Sequence, residues 1–85
     1  MSKKQKLLRQ VLNNPKNVNF KDMVSLVEAF GFTLDRINGS HHIFTHPDIP
    51  ELVNIQNVKG SAKPYQVRQF LTLVETYNLT LEEDV

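Results

Sequence analysis

Eighty-five residues, 40% of them apolar and 22% charged, leave room for one small hydrophobic core and describe a globular domain rather than a disordered chain. The chain has no cysteine, which excludes a disulfide framework and any thiolate metal site, and no apolar run approaches the roughly 20 residues that span a bilayer. The net charge of +1 hides an uneven distribution, because Lys3, Lys4, Lys6, Arg9, Lys16 and Lys21 all precede the first acid, Asp22, while Glu82, Glu83 and Asp84 lie at the far end. A local basic field for a polyanion and a merely solvated helix face are both compatible with that pattern. The N-terminal lysines are followed by no apolar signal region and no small-residue cleavage site, so a cytoplasmic protein is expected.

Ser2 and Gln5 have capping-box spacing, and Leu7, Leu8, Val11 and Leu12 follow as one helical stripe. Asn13-Asn14-Pro15 ends that helix, because the residue before a proline is pushed out of the helical region. A second helix is predicted from Asn19 as N-cap, with Asp22 in its first turn and Phe20, Met23, Val24, Val27 and Phe30 on its apolar face. Gly31 stands where a left-handed residue closes a helix. The period then changes: a strand from Phe32, a tight turn at Asn38-Gly39, and a return strand "HHIFTH" closed by Pro47. Asp48 to Glu51 reads as a connecting loop, "LVNIQN" from Leu52 as a third strand, and "NVKGSAK" as a polar loop. Pro64 opens a last helix, with Val67, Phe70, Leu71 and Val74 buried and Asn78 as its stop. Tyr65 flanks that helix and is expected to rest its ring on the core.

These elements make an α+β domain with a three-stranded antiparallel sheet, an αβββα unit like a double-stranded-RNA-binding domain, preceded by an additional N-terminal helix. Residues 1 to 19 form the addition, 20 to 79 the core unit, and 80 to 85 an acidic tail. One sheet face is covered by helices and the other stays available.

All three histidines lie between His41 and His46. Alternation puts His41, Ile43 and Thr45 on one face and His42, Phe44 and His46 on the other. Each face carries a large apolar residue, so pattern leaves open which one is buried. Imidazole suits acid or base work on RNA because its ordinary pKa, about 6.5, lies close to neutrality. A Gly-Ser turn beside it lets a phosphate approach the backbone. An ordinary surface histidine explains the same spacing. A metal site is the weakest of the three readings, because His41 points away from His42 and His46.

Gly31-Phe32, Arg36 and the run "GSHHIFTHP" from Gly39 to Pro47, with a lysine-bearing loop and a helix opening at "KPYQVRQFL", resemble the HicA toxin family of bacterial toxin–antitoxin modules. The resemblance covers about residues 20 to 79 and its specific part is the Gly-Ser-His step. It implies a metal-independent endoribonuclease acting on mRNA, with no cofactor, inhibited by a HicB-like antitoxin. It makes His41 the catalytic residue and associates Arg36, Gly39, Ser40, His42, Lys59 and Lys63 with RNA binding, His42 in a supporting or structural capacity. Many relatives place a histidine in the loop after the third strand, where this chain reads Gln56-Asn57-Val58. Neither amide there can act as a general acid near neutral pH. A homodimer and a hetero-oligomer with the antitoxin are both compatible with these features. So are two other functions, a non-catalytic RNA-binding module and a purely protein-binding domain.

Overall fold

The computed structural model describes residues 3–81; the expected Ser2 cap and the acidic tail from Glu82 onward lie outside them. Helices α1 (Lys3–Asn13) and α2 (Phe20–Ala29) lead into strands β1 (Thr33–Asn38), β2 (His41–His46), β3 (Ile49–Val58) and β4 (Ser61–Ala62), and helix α3 (Pro64–Thr76) follows. The four strands form one antiparallel sheet in the order β1-β2-β3-β4. This is the expected α+β arrangement, an αβββα unit behind an additional helix, with a short fourth strand appended to the sheet. Among the described residues no helix is long and apolar enough to cross a membrane.

α1 stops two residues before Pro15, as the proline demands. Val11 is its buried anchor, with Leu7 and Leu8 packed against the core, whereas Leu12 is turned outward. α2 begins where its cap predicts: Asn19 is extended, and its Oδ1 accepts the backbone N–H of Lys21 at 2.9 Å. Met23, Leu26 and Val27 form the buried stripe, and Gly31 takes φ +93° just beyond the helix end. Replacing Asn19 by alanine leaves that early N–H without its side-chain acceptor. The expected loss is about 1 kcal/mol, read as a lower urea midpoint with an unchanged m-value. An unchanged midpoint would mean the cap carries no stability.

The core lies between α2, α3 and one sheet face. Phe44, Val53 and Ile55 point into it from β2 and β3, and Phe70 of α3 meets Phe30 and Phe32 edge-on, with ring centroids 5.7 and 5.6 Å apart. Gln66 is the buried polar residue of α3 and is satisfied, because its Oε1 accepts the Gln56 backbone N–H at 2.6 Å. Asn78 closes α3 at φ +52°. Just before it, the Tyr77 hydroxyl donates to Glu51 Oε1 at 2.7 Å. That hydrogen bond to a carboxylate holds the phenol's pKa above 10.0.

Three local expectations are corrected. Asp48 to Glu51 is not all loop: β3 starts at Ile49, directly opposite His46, so Pro47-Asp48 is a tight turn. Pro50 is tolerated because the β2–β3 register is irregular there and β4 pairs β3 only at Asn57 and Val58. The hairpin between β1 and β2 closes at Asn38 and His41, which makes Gly39-Ser40 its central residues, the Gly-Ser turn expected beside His41 and one position later than the Asn38-Gly39 signal. Gly39 has φ +59° and Ser40 has no positive φ, the pattern of a two-residue turn with glycine first. The third correction falls in the polar loop, which contains a second hairpin. Lys59 and Gly60, at φ +53° and +86°, turn β3 into β4, and both positive values are what a type I′ turn requires.

Candidate functional site

The three histidines separate into three environments. His42, on the core side of β2, lays its ring edge-on against Phe20 at 4.7 Å, and its buried Nδ1 has no hydrogen-bond partner among the described residues. His46 packs on Phe32 at 5.0 Å, and its Nδ1 accepts the Asp48 backbone N–H at 3.0 Å, closing the β2–β3 turn. His41 faces the other way, onto the sheet face that helices α2 and α3 leave uncovered, and is half-buried. Helices α2 and α3 pack on the Phe44 side, and this answers the question that alternation left open.

Around His41 the sheet is polar. Asn38 lies directly opposite on β1 and Gln56 directly opposite on β3. Asn54, diagonally across on β3, brings its Oδ1 to 3.1 Å from His41 Nδ1. Arg36 pairs with Ile43 and so shares this open face; its guanidinium meets Asp35 at 2.6 Å, with both side chains about half exposed. An exposed pair of this kind contributes little to stability, so the arginine is free to exchange that partner for a phosphate.

Backbone hydrogen bonds gather four chain segments at one end of the molecule. The Asn57 N–H donates to Ser40 O at 2.9 Å, the Phe20 N–H to Gly60 O at 2.9 Å, and the Ala62 N–H to Val18 O at 2.8 Å. The Gly39-Ser40 turn, the Lys59-Gly60 turn and the N-termini of α2 and α3 therefore sit together. Lys59 lies at the tip of its turn and Lys63 at the N-cap of α3, where its side chain makes no capping bond. Both are exposed. Helix N-termini carry partial positive charge, so the lysines and the backbone reinforce one another at this end. A built-on Cβ at Gly39 or Gly60 meets nothing within 4 Å; both turns are open to solvent, and the positive φ is what calls for glycine.

Asn57 lies at the end of the third strand, and its Oδ1 accepts the Gly60 N–H at 2.8 Å. Its amide thus holds the Lys59-Gly60 turn. Among the described residues no group of three or more histidine or carboxylate side chains is placed to hold a metal ion. A groove of about 430 Å³ runs between β3 and α3, with Asn54, Tyr65, Gln66 and Arg68 among its lining. Tyr65 is 60% exposed and its hydroxyl accepts from Gln69 Nε2, so its ring does not rest on the core as expected.

Sequence reasoning brought His41, Gly39, Ser40, Lys59 and Lys63 to this end of the fold. It missed Asn54. Asn54 is recoverable only through the β2–β3 register.

In comparison with known proteins, the family model described as HicA toxin of bacterial toxin–antitoxin matches residues 20–75. No curated protein and no solved structure gives a match. The match begins at the first residue of α2 and ends one residue short of the end of α3.

Proposed function

The chain belongs to the HicA toxin family of bacterial toxin–antitoxin modules, and from that premise we propose that it is a metal-independent endoribonuclease that cleaves mRNA in the cytoplasm and is held inactive by a HicB-like antitoxin. The observation that carries this reading is the placement of His41. It is the one imidazole on the uncovered sheet face among the described residues, and it follows the Gly39-Ser40 turn at the basic end of the fold.

In this reading His41 Nε2 takes the proton of a ribose 2′-hydroxyl, and the freed oxygen attacks the adjacent phosphorus. The bond to the 5′-oxygen breaks, and the imidazolium just formed protonates that departing oxygen. One side chain serves as base and then as acid, which removes the need for a second histidine where Asn57 stands. Lys59, Lys63 and Arg36 hold the phosphates flanking the scissile one. Gly39 and Ser40 let the backbone approach the RNA at the turn. His42 supports binding from beneath, by packing on Phe20 and fixing the strand that presents His41.

One observation favours a second reading, a non-catalytic RNA-binding module: Asn57 is committed to its turn and, as an amide, supplies no second proton-transfer group. Incubating purified protein with RNA in EDTA separates the two. New RNA ends support the nuclease; salt-sensitive binding without products supports the module. On either reading, the Lys59→Ala/Lys63→Ala double variant should weaken RNA binding and flatten the plot of log K against log salt. The expected change in slope is about 1.4 for single-stranded RNA, the release of two counterions. An unchanged slope would place both lysines off the RNA path.

A further inference from the structure

We propose that Asn54 is the positioning residue for His41, holding the imidazole in the tautomer that carries its proton on Nδ1 and leaves Nε2 as the base. The inference deepens the nuclease reading and rests on it. A side-chain amide oxygen only accepts, so with Asn54 Oδ1 turned to the ring at 3.1 Å from His41 Nδ1 the contact is a hydrogen bond when Nδ1 carries the proton. The neutral ring then has its lone pair on Nε2, the nitrogen that Asn54 does not occupy.

The sheet makes this contact dependable. His41 is paired with Gln56 and Ile43 with Asn54, so His41 and Asn54 are diagonal neighbours on one face, a spacing that long side chains bridge. Asn54 sits between Val53, 4% exposed, and Ile55, fully buried on the opposite face. Those two anchors keep β3 from sliding and hold the amide where the ring meets it. An amide is also suited to a base that must cycle, because a carboxylate at this place would favour the imidazolium and oppose release of the proton. No general acid or base is needed at Asn54 itself: it touches the imidazole and not the substrate.

The test combines nitrogen NMR of the full chain with RNA cleavage kinetics. In the parent protein at a pH where the ring is neutral, His41 should show a protonated Nδ1 and an unprotonated Nε2. Asn54→Leu should release the ring to a mixture of tautomers and lower kcat roughly 10- to 100-fold, the size of effect seen when the partner that orients a working histidine is lost. RNA affinity should not change. Asn54→Asp, which keeps an acceptor in place, should restore the Nδ1–H signature and recover part of the rate. An Nε2–H tautomer in the parent, or Asn54→Leu with the parent's kcat, overturns the inference. Parent protein that binds RNA but yields no new ends overturns the nuclease reading beneath it, whereas the tautomer in the free protein decides the Asn54 contact by itself.

Discussion

Replacing His41 by alanine is expected to lower RNA cleavage by about 10²- to 10⁴-fold, the usual consequence of removing an acid–base group from the reacting proton's path. The fold should not register the change. His41 is half-buried on the uncovered face, and among the described residues its side-chain hydrogen bond is the one to Asn54, so stability should stay within about 0.5 kcal/mol of the parent. Three measurements make the result specific: initial cleavage rates in EDTA, a urea melt, and capture by the antitoxin. Cleavage and growth arrest should be lost while folding and antitoxin binding persist. His41→Ala with undiminished toxicity would remove His41 from the mechanism. Loss of toxicity together with an unfolded chain would instead show His41 to be structural, against its place on the uncovered face.

Phe44→Ala should produce the largest stability effect of any change on the same strand. Its ring is fully buried and faces the core from β2, directly opposite Val53. Truncating a buried phenylalanine costs about 3–5 kcal/mol, because the lost transfer energy adds to that of the cavity left behind. A domain of this size holds only about 4–13 kcal/mol in total, at roughly 0.05–0.15 kcal/mol per residue. The variant should therefore sit near or past the edge of folding at 37 °C. Urea denaturation followed by circular dichroism reads the loss directly, and Phe44→Leu should recover much of it. A midpoint shift worth less than about 1 kcal/mol would mean that the core does not rest on β2. Activity lost through Phe44→Ala should return on cooling in proportion to the folded fraction, unlike the loss caused by His41→Ala. The two substitutions, three residues apart, thus separate chemistry from scaffold.

Much of the helical layer was legible because it is written in local signals. Asn19 as a cap, Gly31 as a left-handed terminus, Pro64 at a helix start and Asn78 at a helix stop all act through their own backbone or the next turn. The stripe on α2 was read with Val24 and without Leu26, yet Leu26 is fully buried and Val24 only partly. A stripe fixes the helix face to within one residue; the neighbours it meets settle the rest. Leu12 was expected inward by the same periodicity and is 55% exposed, because α1 packs mainly on α2 and α2 covers only part of its apolar side.

The hairpins were less legible. Asn38-Gly39 is a strong turn signal, but the register that pairs Asn38 with His41 moves the turn to Gly39-Ser40. Lys59-Gly60 carries a weaker signal, since lysine with positive φ is uncommon. Its conformation is held by the Asn57 amide and by the hydrogen bond from Phe20 to Gly60. The second of those partners is 40 positions away, beyond any local reading of the turn.

By itself the amino-acid sequence determined that His41 and His42 face opposite sides of one strand, because backbone alternation has a period of two whatever surrounds it. It also carried the Gly-Ser-His step and the family to which residues 20–75 belong. Only the tertiary structure decided which histidine lies on the uncovered face. Ile43 and Phe44 offer two apolar faces, and the choice falls to Phe44 because Val53 and Ile55 from β3 and the buried stripes of α2 and α3 converge on that side. The contact between His41 and Asn54 belongs to the same class: thirteen residues separate the two, and a register set by core packing brings them together.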